Sequence, residues 1–292
     1  MIAAEDRLPE LPDTQHRDYI LTAYEPRCDP KGRLHAGSLL KHLLRVEELD
    51  AWPLIEALRA HLGPDETVWG AKWGPKGFSL ELYFYNFTEN AEGNRARATD
   101  LARVVAPWVT VAGAVDESLP YFMCSFEISA KSLAQKTCEP FRLYLRSGDR
   151  HRRECGFSYR AEARDHLVLE NHYWFYFAKK PEELEDAVRR VRSSPRSGGK
   201  KCWSVLVPPG LRDCFTVCYA VKPHADGLYY SRISSVQLAP FLARHEHPRL
   251  AELLTEHDSD FAHVSWDLGF DFNAAPGAPE LSIDKLAVHQ VV

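Results

Sequence analysis

Residues Phe78–Phe87 read FSLELYFYNF, the clearest strand pattern in the chain. Successive side chains of a strand point to opposite faces. Ser79, Glu81, Tyr83 and Tyr85 therefore share one face, and the apolar Leu80, Leu82 and Phe84 share the other. Immediately upstream, Gly74-Pro75-Lys76-Gly77 is a turn signal and Thr67–Gly74 has strand character. The two runs together predict a hairpin. Leu39, Leu40, Leu43, Leu44 and Leu49 form a helical stripe over Ser38–Leu49, and Pro53 opens a second helix carrying Leu54, Ile55, Leu58 and Leu62. Downstream, Ala98, Leu101, Ala102 and Val105 mark another helix within Asn94–Trp108. The local order is helix, strand, strand, helix.

The pattern continues outward. Strands are predicted at Tyr121–Ile128, Phe141–Ser147, Cys155–Glu162, His166–Phe177, Lys201–Val207, Cys214–Lys222, Gly227–Ile233 and Ala262–Phe272. Helices are predicted at Pro181–Arg192, which has Pro at its start, acids in its first turn and arginines in its last, and at Ser235–His245 and Pro248–His257. Val288–Val292 is too short to assign. Strands in adjacent antiparallel pairs with helices between them exclude a doubly wound parallel sheet. About ten strands exceed what a twisted open sheet holds comfortably, and closure removes the exposed edges. The expectation is an α+β protein: one antiparallel β-barrel of about ten strands with surrounding helices over residues 37–292. An irregular arm over residues 1–36 precedes it, with one short strand at Tyr19–Ala23. A barrel of that size leaves room inside for a ligand.

Composition bounds the function. The chain has 292 residues, and its 45% hydrophobic and 11% aromatic content is too high for a disordered protein. No apolar run is long enough for a membrane span, so no membrane partner is expected. A net charge of −5 gives no reason to expect nucleic acid as a partner. The first residues have no basic and apolar secretory pattern, which leads to an expectation of a cytoplasmic protein with reduced thiols. Cys124, Cys155, Cys202, Cys214 and Cys218 sit in apolar runs and read as buried structural thiols.

The second face of each strand carries the functional reading. Arg142, Tyr144 and Arg146 oppose the apolar Phe141, Leu143 and Leu145. Val68, Gly70, Lys72 and Gly74 share a face, as do Cys214, Thr216, Cys218, Ala220 and Lys222; Lys201 falls with Trp203, and Tyr230 with Arg232. Either these faces meet solvent, or they line a lumen rich in cations and aromatic rings. In the second case Lys72, Arg142, Arg146 and Lys222 would hold a diphosphate by charge-assisted hydrogen bonds. Tyr83, Tyr85, Tyr144, Trp203, Tyr219 and Tyr230 would shield a carbocation through their ring quadrupoles. Glu81, among aromatic side chains, is the leading acid–base candidate, with Glu66, Glu127 and Glu162 behind it.

Three stretches carry a resemblance to a known family. Glu66–Thr88, Glu139–Asp149 and Cys214–Ser231 resemble strands of the ABBA prenyltransferases, closest to the cyanobactin-type peptide prenyltransferases. Lys72, Arg142, Arg146 and Lys222 fall on basic positions of that pattern. The resemblance implies an αββα barrel that binds an allylic diphosphate as co-substrate and transfers its dimethylallyl or longer prenyl group to a peptide side chain or an aromatic acceptor, assisted by Mg²⁺. The chain departs from the pattern near Val68, where the family has a glutamate, and at Glu81, where the family has a basic residue. Its end, LSIDKLAVHQVV, lacks an aromatic run. The alternative is a non-catalytic barrel that binds a small anion or a peptide. Ser197-Gly198-Gly199-Lys200 is too short for a phosphate loop, and no G-x-S-x-G elbow is present. His245-Glu246-His247 and His257-Asp258 read as polar helix ends, so no metal ligands are assigned.

Overall fold

A computed structural model describes residues 1–11, 14–86, 95–147, 154–197, 206–274 and 281–292, without the side chains of residues 154 and 155. Ten strands close into an antiparallel barrel: β1 (Val68–Gly74), β2 (Gly77–Tyr85), β4 (Tyr121–Ile128), β6 (Arg142–Leu145), β7 (Glu154–Ala163), β8 (His166–Phe177), β9 (Thr216–Val221), β10 (Asp226–Ile233), β11 (Trp266–Asn273) and β12 (Ser282–Val291). Each barrel strand pairs with the next one in sequence, and β12 returns to pair with β1. Two short strands, β3 (Thr110–Val111) and β5 (Thr137–Cys138), form a separate parallel pair.

Alternation explains how one sequence builds two layers. On β1 and β2 the outward residues Trp69, Leu80, Leu82 and Phe84 are fully buried under helices. Helices α1 (Gly37–Val46) and α2 (Trp52–Leu62) contribute Leu39, Leu40, Leu54 and Leu58 to that layer. The helix Pro181–Ser193 keeps the predicted charge order, with Glu182 and Glu183 first and Arg190 and Arg192 last. Ser234 caps the helix Ser235–Arg244, which runs on through Pro240 rather than breaking there. The inward residues form a second, smaller cluster that includes Val68, Tyr83, Tyr85, Met123, Tyr144 and Val291.

The strand predicted at Lys201–Val207 falls mostly on residues 201–205, which lie outside the described residues. Two expectations change. The tenth strand of the described barrel is β12, which the sequence left unassigned because its charged beginning hides its period. The predicted strand at Tyr19–Ala23 is a turn, because the Asp18 carboxylate accepts the N–H groups of Ile20 at 3.2 Å and Thr22 at 2.9 Å and folds the arm back on itself.

Strand β7 bends at Gly156, where its register with β8 shifts. Gly156 has φ of +143°, and a Cβ there would stand 2.0 Å from the Leu145 carbonyl oxygen. Gly156→Ala is expected to lower unfolding stability by roughly 2 kcal/mol or more in a urea titration. An unchanged midpoint would mean that β6 and β7 do not approach this closely.

Candidate functional site

The inward faces enclose a cavity of about 580 Å³. In a simple antiparallel meander every second connection lies at the same end. The hairpins β1–β2, β7–β8 and β9–β10 therefore share one end, and the N-terminal arm occupies the other, where Asp18, Tyr19 and Ile20 border the cavity. The two ends differ chemically. Lys72, Arg142, Arg160, Glu170, Lys222, Asp271 and Lys285 form a charged belt toward the hairpin end. Tyr19, Tyr83, Tyr85, Tyr144, Tyr173 and Tyr229 line the chamber between the belt and the arm.

The belt is tightly cross-linked. The Lys72 ammonium contacts the Glu81 carboxylate and donates to Glu127 at 3.1 Å. Arg142 donates from Nε to Glu170 at 2.8 Å. Its Nη1 is buried without a hydrogen-bond acceptor, 3.7 Å from Glu81 and 3.8 Å from Glu127. Lys222 donates to Asp271 at 2.5 Å and to the Tyr229 hydroxyl at 2.9 Å. Burial disfavours the charge on Glu127, but Lys72, Lys285 and Arg142 outweigh it and hold the carboxyl well below its usual range. Burial, with Lys285 and Arg142 nearby, outweighs Glu127 and holds the Lys72 ammonium well below the ordinary lysine value. Arg142 remains charged because Glu127 and Glu170 overcome its burial.

Glu81 stands where belt and chamber meet. It accepts hydrogen bonds from Tyr83 at 2.8 Å and Ser125 at 2.6 Å. The neighbouring phenols stay neutral, since burial raises Tyr19, Tyr83, Tyr144 and Tyr229 well above their normal value. Tyr19 enters from the arm: its N–H donates to Asp267 at 2.5 Å, and its carbonyl accepts the Tyr85 hydroxyl. Asp267 is pushed well above the carboxylate range by burial and by the Asp18 charge.

One polar group in the chamber was missed by sequence reasoning. His289 on β12 packs edge-on against Tyr19 and Tyr83, at ring distances of 4.9 and 5.8 Å, and its Nε2 has no hydrogen-bond partner. Space for the ring comes from Gly70, where a Cβ would lie 2.6 Å from it, and from Gly269, where one would lie 3.2 Å away. Two glycines on the inward faces of β1 and β11 were the available signal, but the strand that fills the space had not been assigned.

The structure gathers Lys72, Glu81, Tyr83, Tyr85, Arg142, Tyr144 and Lys222 around one cavity. Three other candidates, Tyr219, Arg146 and Glu66, are placed elsewhere, and Tyr230 borders the cavity but turns its phenol away from it. Tyr219 and Tyr230 belong to the outer layer: Tyr219 donates to Asp226 at 2.6 Å, while Tyr230 stacks on Phe270 and donates to the Leu206 carbonyl. Tyr219 has the opposite parity to Cys218, and Tyr230 to Tyr229, so neither phenol can reach the chamber. Arg146 lies beyond the end of β6, exposed, with its guanidinium 5.6 Å over the Phe122 ring. Glu66 precedes β1 and is held by Arg17 at 2.7 Å, outside the lumen. Trp203 lies outside the described residues. Glu127 stands behind Lys72 as a partner, and Glu162 pairs with Arg160 at 2.8 Å.

Chemically, this is a closed barrel with an amphipathic interior, able to hold an anionic group at the belt and an unsaturated or aromatic group below it. No family model matches the chain, and no curated protein matches it. Among the described residues no helix is long and apolar enough to cross a membrane. Cys124, Cys214 and Cys218 are buried free thiols, as expected of structural cysteines; burial raises all three, Cys214 to about 12.

Burial, with help from Lys72, lowers the His289 pKa from 6.5 to about 3. Above about pH 6.5 the ring is neutral in both the folded and unfolded chain. Below it the unfolded chain takes up a proton that the folded chain refuses until about pH 3, so unfolding is favoured as pH falls. Replacement by Gln is expected to flatten the stability–pH slope between pH 6.5 and 4, with a difference of a few kcal/mol at the acid end (order of magnitude). Parallel slopes in urea titrations of both proteins would place His289 in contact with water.

Proposed function

We propose that the barrel binds an allylic diphosphate and transfers its prenyl group to an acceptor, in the manner of the ABBA prenyltransferases that its sequence resembles. One observation carries this reading: a belt of cations, Lys72 buried and Arg142, Arg160, Lys222 and Lys285 partly buried, stands directly over a chamber of neutral tyrosines within a single cavity. The diphosphate would accept charge-assisted hydrogen bonds from Lys72, Lys222 and the unpartnered Nη1 of Arg142. The allylic carbon would then lie among Tyr83, Tyr144, Tyr173 and Tyr229, whose ring faces stabilise a cation. As the allylic C–O bond breaks, the diphosphate leaves with the electron pair, and the acceptor attacks the freed carbon. Its proton passes to a base on the wall. Glu81 is the candidate. A volume of about 580 Å³ suits a small isoprenoid diphosphate together with one acceptor side chain. A peptide acceptor would therefore present a single side chain to the cavity.

The lumen residues do not suit a protein-held Mg²⁺ ion. Among the described residues no group of three carboxylate or imidazole ligands converges inside the barrel. Glu81 and Glu127 engage Lys72, Glu170 engages Arg142 and Asp271 engages Lys222. The same pairing favours a second reading, a non-catalytic binder of a small anion or a peptide, because any incoming anion must compete with carboxylates already in place.

Calorimetry with dimethylallyl thiolodiphosphate, which does not ionise readily, tests the proposal. Binding is expected, and Arg142→Ala should weaken it by about tenfold or more, near 1.4 kcal/mol. Failure of the wild-type protein to bind would sink the diphosphate reading. Binding without prenyl transfer to any aromatic or peptide acceptor from the natural diphosphate would favour the non-catalytic one.

A further inference from the structure

Outside the barrel, at the root of the N-terminal arm, three side chains with metal-ligating atoms converge: Glu10, His16 and His263, whose ligand atoms all lie within 4.8 Å of one another. The side chains are 3%, 11% and 0% exposed. The Glu10 Oε1 lies 2.9 Å from the His263 Nε2 and 3.6 Å from the His16 Nδ1. Around a tetrahedral Zn²⁺, bonds of about 2.0–2.2 Å to nitrogen and oxygen put ligand atoms roughly 3.3 Å apart. The two separations from Glu10 bracket that value and the third lies within 4.8 Å, so the two histidines must close by no more than about 1.5 Å to share an ion.

A second observation points the same way. The other Glu10 oxygen, Oε2, is buried and has no hydrogen-bond partner. A carboxylate oxygen left dry and unpaired is costly, whereas a carboxylate can bind a metal through either oxygen or both. Arg17, which follows His16 in the chain, does not compete for it, because Glu66 holds it at 2.7 Å. Two other histidines near the arm are already engaged: His257 pairs with Asp260 at 2.7 Å and accepts the Ile2 N–H at 3.0 Å, and His35 pairs with Asp65 at 2.9 Å.

We infer that Glu10, His16 and His263 form a binding site for a divalent transition-metal ion of the zinc type, with water completing the coordination. The ion ties two points of the arm to the segment that enters β11. His16 immediately precedes the turn closed by the Arg17–Ala23 bridge, and that turn delivers Tyr19 to the cavity. The site is structural in kind, and it holds the arm in the position that closes the barrel end.

The test uses the full chain, stripped with a chelator and titrated with ZnCl₂ and then with Co²⁺. The expected result is one tight equivalent, a rise in melting temperature, and Co²⁺ absorption bands of a low-coordinate nitrogen and oxygen site. His16→Gln and Glu10→Gln, judged folded by circular dichroism, should each weaken binding by about tenfold or more and abolish the thermal shift. These two positions are chosen because His263 is fully buried and its variants are liable to misfold. The inference is overturned if the stripped chain binds no zinc in several-fold molar excess, or if either variant keeps full affinity. Diphosphate binding has no part in these readouts, so they stand or fall apart from the proposal for the lumen.

Discussion

Strand β12 returns to the start of the barrel and pairs with β1 from Val68↔Val291 to Trp73↔Leu286. All other barrel ladders join neighbours in the chain, so this one bears the largest loop-closure entropy. It also satisfies the two strand edges that an open sheet would leave exposed. The lumen depends on it directly. Pairing sets Ala287 beside Lys72 and His289 beside Gly70, and carries Lys285 into the belt. An open sheet would leave Lys72 and Glu81 in water, where a charge pair is weak. Closure moves them into a low-dielectric space where both attraction and desolvation are large.

That space explains the composition of the belt. Five cations gathered in a partly buried belt repel one another unless counter-charges stand among them. The chain places carboxylates between them: Glu81 and Glu127 around Lys72, Glu170 beside Arg142, and Asp271 beside Lys222. Arg142 is the hub, since its Nε faces Glu170 while its Nη1 looks toward Glu81 and Glu127 without a hydrogen bond. A belt of this kind exchanges partners rather than acquiring them. An anion placed near Nη1 gains Arg142 without stripping it from Glu170.

Much of the barrel was legible because period two survives in strands that have a dry outer face. In β1, β2 and β6 the residues assigned to the second face by parity, Lys72, Glu81, Tyr83, Arg142 and Tyr144, are those that line the cavity. Parity failed where the pairing slips. Tyr121 shares parity with Met123 but packs outward, because the β4–β6 register shifts between them. Arg232 shares parity with Tyr230 but turns to Asp18 at 2.8 Å, across a bulge where its φ is +57°. Tyr219 needed no bulge: it alternates with Cys218, and its outward placement could have been read from the strand itself. The arm could not be read at all. Its residues have no period, and Tyr19 reaches the lumen only because the Asp18 carboxylate fixes a turn and the buried Asp267 receives the Tyr19 N–H.

The arm also decides how a ligand must sit. At its seat Asp18 and Asp267 are both buried, with Arg232 bonded to the Asp18 side chain and donating its backbone N–H to Asp267. Desolvation raises both pKa values, and the Asp18 charge adds to the rise at Asp267, which is the stronger of the two. This end is thus filled by a plug of protein, and its innermost contact is the Tyr19 ring against Tyr83 and His289. The charged belt lies at the opposite end, bordered by the β9–β10 hairpin residues Pro223, His224 and Ala225. A ligand with an anionic head and an apolar tail that enters past the hairpins has one low-energy orientation. Its tail must cross the belt first and come to rest among the tyrosines, because leaving the head there would strand a charge away from Lys72, Arg142 and Lys222. The depth from belt to Tyr19, rather than the belt itself, then limits the length of the tail.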